Sequence, residues 1–169
     1  MHHGALYIYA GKIRSYPDAR PSAIAKRQID GGIMLTALGL EGDEQAEQGV
    51  HGGIDRALCH YPREHYRYWA QCFPELEEQF NAPAFGENLS TEGLTEHNVF
   101  MGDIFRWGES LLQVSQPRSP CFKLNTHFGV SDFSQRMQDS GYCGWLYRVI
   151  VPGNVSADAP LELVSRLSD

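Results

Sequence analysis

Short runs of aliphatic, β-branched or aromatic residues bounded by turn residues dominate the pattern of this chain. Runs rich in aliphatic, β-branched or aromatic residues occupy 6–13, 23–29, 56–61, 103–107, 110–115, 145–150 and 161–164. Such runs are typical of strands, because these side chains pack well on a pleated surface. Glycines and prolines are spread along the whole length and separate the runs. The pattern therefore predicts a strand-rich fold.

Two segments have helical spacing instead. Segment 62–72 opens with a proline, which the first helical turn accepts, and it spaces Tyr66, Trp69 and Phe73 along one helical face. Segment 131–140 has Ser131 as a candidate N-cap and Gly141 just past its end. We therefore predict a mainly β fold with α: a β-barrel-like core with short helices over its openings, and no doubly wound α/β sheet.

Length and charge limit the possible classes of protein. The 169 residues predict one domain at 5–169, with 1–4 as an N-terminal extension. The net charge of −7 disfavours binding to nucleic-acid polymers and anionic membranes, so an anionic ligand would need a local basic pocket. With no export signal or membrane span predicted, we expect a cytoplasmic protein with reduced thiols.

The segment around Cys121 carries the most informative chemistry. Its sequence at 116–125 is Q-P-R-S-P-C-F-K-L-N. Pro117 should end a strand and Pro120 should open a short helix, with Cys121 in the first turn. Helix N–H groups, Arg118 and Lys123 would there favour the thiolate, which binds metals and attacks electrophiles. The residues alone support a buried, unreactive Cys121 equally well. Function is less favoured for the remaining three cysteines, Cys59, Cys72 and Cys143.

A second segment, H-G-G-I-D-R-A at 51–57, could turn tightly or approach a ligand closely, yet it is equally typical of an ordinary loop. The sequence contains no G-x-S-x-G nucleophile motif and no Walker or G-x-G-x-x-G loop. The spacing of His60 and His65 matches no zinc-protease motif. Zinc, nucleotide and lipase-like enzymes are therefore unsupported.

Five segments in order resemble the MOSC family, the molybdenum cofactor sulfurase C-terminal domain, and within it the YiiM-type group. They are G-L-E-G-D at 39–43, H-G-G-x-D-R-A at 51–57, G-E-N-L at 86–89, M-G-D at 101–103 and S-Q-P-R-S-P-C-F-K-L at 115–124. The resemblance covers 6–169 and implies a β-barrel-like fold and a molybdenum cofactor of the molybdopterin type. It also implies Cys121 as the metal ligand, a role that suits a soft thiolate.

The same resemblance implies the roles of further residues. Lys26 and His51 would act beside Cys121 in catalysis: Lys26 would present a cation to an oxygen or phosphate, and His51 would protonate a departing hydroxyl. Arg56 and Arg118 would bind the cofactor phosphate and supply the local basic pocket. Asn88 of the G-E-N-L segment is a further candidate for cofactor binding.

The activity that the resemblance implies is the detoxifying reduction of N-hydroxylated bases such as 6-hydroxylaminopurine. A separate flavin or iron–sulfur reductase would supply electrons, and a homodimer is compatible with the sequence. Members of the group usually continue into a small C-terminal helical region, so we expect electron-partner docking or dimer contacts to be affected in a chain ending at Asp169. Two alternatives remain: a noncatalytic carrier of the cofactor or its sulfur, and a metal-free Cys-His hydrolase or transferase.

Overall fold

The structure, a computed structural model, describes residues 1–12, 14–16, 19–22, 26–44 and 52–167. Its strands in chain order are β1 Leu6–Ala10, β2 Arg14–Tyr16, β3 Ala19–Ser22, β4 Arg27–Gln28, β5 Gly32–Thr36, β6 Gly39–Leu40, β7 Leu58–Pro62, β8 Leu89–Thr91, β9 Ile104–Trp107, β10 Ser110–Pro117, β11 Trp145–Val151, β12 Gly153–Ser156 and β13 Leu161–Ser165. Its helices are α1 His65–Cys72, α2 Lys123–Phe128 and α3 Phe133–Ser140, with 3₁₀ helices at Ile54–Arg56 and Pro74–Gln79.

Most strands belong to one eight-stranded sheet in the order β13-β9-β10-β11-β7-β8-β1-β4. Within it β7 and β8 are a parallel pair that sets His60 opposite Leu89. A smaller sheet has the order β12-β5-β6, and β2 pairs with β3. The prediction of a mainly β fold with α is confirmed.

The two larger sheets share one apolar core. Leu35 and Val155 of the small sheet belong to the same buried cluster as Leu58, Phe105 and Leu112 of the large one. Strand β10 shows the reason, because its residues alternate between buried and partly exposed, as the period of two in a strand requires. The sheets therefore pack face to face, in the barrel-like manner expected.

The helices gather in a second, aromatic cluster around Phe85, whose side chain is fully buried. The Phe85 ring centroid lies 4.5 Å from that of Tyr61, 5.5 Å from that of Phe128 and 5.9 Å from that of Phe133. Offset and tilted aromatic pairs at such distances are favourable. This packing fixes the loop that leads from Phe85 to Glu87 and Asn88, two residues of the candidate site.

Several predicted boundaries were wrong by a few residues. Helix α1 begins at His65, because Pro62 is still paired in β7, opposite Thr91 of β8. Strand β7 begins at Leu58 because the preceding residues form a 3₁₀ helix. The N-cap of α3 is Asp132 and not Ser131. The left-handed Gly141 after α3 is confirmed, with φ 75°. Strands β2, β3, β5, β6, β8 and β12 were not predicted.

The N-terminal residues contact the rest of the chain. The amide of Leu161 donates a hydrogen bond to Nε2 of His3 at 2.8 Å, and the amide of Gly4 donates to the carbonyl of Glu92 at 2.9 Å. The domain boundary after residue 4 remains a prediction. Within the described ranges, no helix is long and apolar enough to cross a membrane.

Candidate functional site

An ion pair with buried side chains forms one part of the candidate site. Nζ of Lys26 lies 2.6 Å from Oδ1 of Asp43, and the two side chains are only 5% and 3% exposed. The same Oδ1 accepts the backbone N–H of Gly11 at 2.9 Å, and Oδ2 accepts a side-chain N–H of Asn88 at 2.8 Å. Three donors from separate segments thus hold one carboxylate.

Asn88 is the link between this ion pair and the large sheet. Its amide donates to the carbonyl of Tyr9 at 3.2 Å as well as to Asp43, and its carbonyl oxygen accepts the backbone N–H of Cys59 at 3.0 Å. The contacts show Asn88 joining β1, β7 and Asp43, with both amide hydrogens directed to protein groups. Cofactor binding by Asn88 remains a prediction.

A cavity of about 370 Å³ lies beside Lys26. Its wall is formed by Ala10, Gly11, Lys12, Lys26, Arg27, Ile29, Glu41 and Gly42. Three of these side chains are cationic and one is anionic, and two of the cations form ion pairs, Lys12 with Glu44 at 3.2 Å and Lys26 with Asp43 at 2.6 Å. The wall is therefore charged and polar, and the local basic pocket expected from Arg56 and Arg118 remains a prediction.

Arg118 occupies a second part of the site. Its Nη2 donates to the carbonyl of Phe85 at 2.6 Å, and its backbone N–H donates to the carbonyl of Gly144 at 3.1 Å. Its Nη1 is buried without a hydrogen-bond partner in the described part of the chain. A buried guanidinium N–H without a partner is costly, and a phosphate oxygen is a fitting acceptor for it.

Glu87 and Cys59 are titratable groups whose charges act on Arg118. The Glu87 carboxylate accepts hydrogen bonds from the hydroxyl of Tyr66 and from the amide of Phe85, the latter at 3.1 Å. Burial raises the pKa of Glu87, with the Tyr66 hydrogen bond and the Arg118 charge opposing it. Burial also raises the pKa of the Cys59 thiol, again against the Arg118 charge. The Cys59 and Glu87 charges in turn raise the pKa of Arg118, although burial alone would lower it.

Cys121 lies in the loop between β10 and α2, three residues after Arg118, and is partly exposed. Helix α2 begins at Lys123 with Phe122 as N-cap, so the prediction that Cys121 sits in the first helical turn was wrong. The turn that precedes the helix uses the Cys121 carbonyl, which accepts the amide of Leu124 at 3.0 Å. The helix N-terminus predicted to favour the thiolate therefore starts later in the chain.

The other cysteines differ in exposure: Cys59 is partly exposed, Cys72 is exposed and Cys143 is buried. Burial raises the pKa of Cys143 to about 11, which makes it a poor nucleophile at neutral pH. In the part of the chain that the structure describes, no group of three or more His, Cys, Asp or Glu side chains could hold a metal.

The H-G-G-I-D-R-A segment is described only from Gly52 onward, so His51 lies outside the described residues. Arg56 is half-buried in the 3₁₀ helix Ile54–Arg56. Neighbouring Asp55 forms an ion pair with Nε of Arg148 at 2.9 Å, and its carbonyl accepts the Ser115 hydroxyl at 2.6 Å. These contacts fix the segment against β10 and β11.

Sequence reasoning assigned no role to Asp43, Glu87 or Cys59. Two of them stand inside the quoted motifs, Asp43 in G-L-E-G-D and Glu87 in G-E-N-L, and this position was the available signal. Asp103 of M-G-D carried the same signal but binds Arg166 away from these contacts, at 2.6 Å. A motif therefore indicates that an acidic residue is held in place, but it does not indicate the function of that residue.

Comparisons with known proteins identify the family of the chain. Residues 47–162 match the model of the MOSC domain. Protein YiiM of Escherichia coli (strain K12) is 74% identical over 162 residues, which cover 96% of this chain and 72% of YiiM. A crystal structure of YiiM from Escherichia coli superposes with a TM-score of 0.84 and 62% identity, over 100% of this chain and 73% of the other.

A more distant relative carries a functional name. A protein of Gibberella moniliformis named "Reductase" is 38% identical over 164 residues, which are 95% of this chain but only 29% of the fungal protein. Together with the domain match and the near-complete alignment to YiiM, the ordered motifs place the chain in the MOSC domain family, among relatives of the YiiM type.

Proposed function

We propose that this chain is an oxidoreductase that holds a molybdenum–pterin cofactor through the thiolate of Cys121 and reduces N-hydroxylated compounds such as 6-hydroxylaminopurine. MOSC domains are linked to molybdenum cofactor binding, and the relative named "Reductase" supports an oxidoreductase. The fungal protein is much longer than the matched region, so the substrate and the metal dependence of this chain are our proposal.

One observation carries this proposal: Arg118 and Cys121 share a loop and fit two parts of such a cofactor. The buried Nη1 of Arg118 lacks a partner among the described residues and fits a phosphate oxygen. The soft thiolate of Cys121 suits a metal that a pterin holds through sulfur. Arg56 and Asn88 remain further candidates for holding the cofactor.

The reaction takes up two electrons and two protons, breaks the N–O bond and gives the N–H compound and water. When bound, the molybdenum centre supplies the electrons. The residues of the chain have other tasks: Lys26 at the cavity wall would stabilise negative charge on oxygen, and His51 would deliver a proton to the leaving hydroxyl. A separate flavin or iron–sulfur reductase would renew the electrons, in a cytoplasm that keeps Cys121 reduced.

The decisive experiment compares Cys121→Ser with Cys72→Ser in cells able to make the cofactor. Because a hydroxyl is a poor replacement for thiolate, we expect Cys121→Ser to fold but lose molybdenum and the reduction of 6-hydroxylaminopurine with a chemical electron donor. The exposed Cys72 is the matched control and should keep both. Stoichiometric molybdenum with undiminished turnover in Cys121→Ser would refute the ligand assignment.

The same preparation separates the alternatives. Wild-type protein that binds molybdenum and pterin but consumes no hydroxylamine substrate would favour a noncatalytic carrier of the cofactor or its sulfur. Activity of Cys121 in protein made without molybdenum would favour a metal-free hydrolase or transferase. Turnover that depends on both molybdenum and Cys121 is the result that our proposal requires.

A further inference from the structure

Burial and an ion pair confine the side chain of Lys26. A lysine side chain has a flexible four-carbon stem and a compact, strongly hydrated charge. Here the side chain is 5% exposed and Nζ lies 2.6 Å from Asp43. Both features restrict the ammonium group to one position.

Asp43 is itself fixed from three directions. Its donors are the backbone N–H of Gly11 just after β1, the ammonium of Lys26 just before β4, and the side-chain amide of Asn88 just before β8. Strands β1, β4 and β8 are neighbours in the large sheet. The sheet therefore sets the position of the carboxylate, and the carboxylate sets that of Lys26.

The ion pair adjoins the cavity. Lys26 lines it, as do Gly11, which donates to Asp43, and Gly42, which precedes Asp43. A buried ion pair is weak support for stability, because the loss of hydration offsets much of the attraction. Its place in a cavity wall is better explained by the need for an oriented cation, since a well-placed charge acts on a reacting group without reorganising.

We propose that Asp43 is a positioning residue that fixes the Lys26 ammonium at the wall of the cavity, with Asn88 fixing Asp43 in turn. This inference rests on the proposed function for its kinetic consequence, but its geometric part can be tested alone. Asp43 acts through Lys26 and touches no reacting group.

The kinetic test is a double-mutant cycle on cofactor-loaded protein with 6-hydroxylaminopurine. We expect Asp43→Asn to lower kcat/KM by roughly 10- to 100-fold, because small displacements of a positioned group are costly. In a Lys26→Met background the same change should have no further effect. Asp30→Asn, an exposed control, should leave kcat/KM unchanged. Additive losses in the double variant would overturn the proposal, because they would mean that Asp43 acts independently of Lys26.

A second measurement needs no activity. The lysines of the chain are Lys12, Lys26 and Lys123, so acylation by an amine-reactive ester can be followed at each by peptide mass spectrometry. Acylation requires the ester to reach Nζ, which the low exposure of the Lys26 side chain and its 2.6 Å contact with Asp43 both oppose. We expect Lys26 in Asp43→Asn to react at least tenfold faster than in wild type, while the exposed Lys12 is unchanged.

The two measurements separate the possible failures. If wild-type protein reduces no substrate, the proposed function fails and Lys26 acylation alone decides: unchanged reactivity in Asp43→Asn would overturn the positioning role. If Asp43→Asn does not fold, Asp43→Glu takes its place, because it keeps the charge and displaces the carboxylate by one methylene. Full turnover and wild-type acylation in Asp43→Glu would equally overturn the proposal.

Discussion

Asp43 and Asp103 each follow a glycine, and each is a buried carboxylate that accepts one backbone amide and one basic side chain. Asp43 accepts the amide of Gly11 and the ammonium of Lys26. Asp103 accepts the amide of Phe100 at 3.0 Å and two N–H groups of Arg166, at 2.6 and 2.8 Å. From the sequence, G-D at 42–43 and at 102–103 are equivalent.

The cations of the two pairs differ in their surroundings. Arg166 has a side chain that is 38% exposed, its guanidinium lies 4.6 Å from the centre of the Phe100 ring, and it also donates to the carbonyl of Asn98. It fastens the segment after β13 to the loop before β9. Lys26 is 5% exposed and lines a cavity. The role of each acid therefore follows from the position of its cation, which a local motif does not contain.

The largest expected effect is a difference in stability between Asp43→Ala and Asp103→Ala. Removing Asp43 leaves the Lys26 ammonium buried without its partner, a change that costs roughly 3–5 kcal/mol. Removing Asp103 should lower the free energy of unfolding by less, because the released Arg166 side chain can be solvated. Urea unfolding at pH 7 measures both. An equal or greater loss of unfolding free energy in Asp103→Ala would show that the exposure of the cation does not set what each ion pair contributes to stability.

Turnover should also differ between variants of the two cations. Lys26→Met should lower kcat/KM for 6-hydroxylaminopurine by roughly 10²-fold, since it removes the charge that our proposal assigns to the reacting group. Arg166→Met should keep kcat/KM within about twofold at a temperature where it is fully folded. Molybdenum content is measured for both variants. Comparable losses of kcat/KM at equal metal content would contradict a role in turnover for Lys26 that Arg166 lacks.

The sequence predicted much of the strand framework and little of the hydrogen-bond network around Lys26 and Asp43. Runs of aliphatic, β-branched or aromatic residues bounded by turn residues located β9, β10, β11 and β13, because such runs are a local signature of strands. Strands β6 and β12 were missed because G-L and G-N-V-S contain few apolar residues, whereas β5 was missed although it contains I-M-L at 33–35. Resemblance selected Lys26, Asn88 and Arg118, and the structure describes all three. The pairing of Lys26 with Asp43 was beyond reach, because the sheet and not the local sequence brings the two together.

A smaller expected effect concerns the pH dependence of stability that His60 causes. His60 follows Cys59 in β7, and its side chain contacts the hydroxyls of Tyr147 and Thr91. Its ring nitrogens lie 3.0 Å from the Tyr147 hydroxyl and 2.8 Å from the Thr91 hydroxyl, and burial lowers its pKa to about 3. The pKa of this histidine in the unfolded chain is about 6.5. Below that pH the unfolded chain binds a proton at His60 and the folded chain does not, so the free energy of unfolding falls as pH drops from about 6.5 towards the folded pKa.

This contribution amounts to about 2 kcal/mol between pH 7 and 5. His60→Gln, which can keep a hydrogen bond but does not titrate, should lack it, whereas the exposed His97→Gln should behave as wild type. Denaturant unfolding across this pH range measures the difference. Identical pH profiles for the two variants would contradict it, and a loss of turnover in His60→Gln would move His60 from the scaffold to the site.

The smallest expected effect concerns the glycines that precede the two acids. Gly42 and Gly102 have φ values of 80° and 86°, a region where any side chain adds about 1 kcal/mol of strain. A Cβ on Gly42 would meet no heavy atom within 4 Å, whereas a Cβ on Gly102 would lie 2.5 Å from Cδ1 of Leu167. That methyl is the far end of a side chain that is 71% exposed, so it can turn aside at little cost. Gly42→Ala and Gly102→Ala should therefore lose similar stability, within about 0.5 kcal/mol of one another. Thermal unfolding of the pair checks this, and a much larger loss in Gly102→Ala would mean that Leu167 is held firmly beside Arg166 as part of the Asp103 contact.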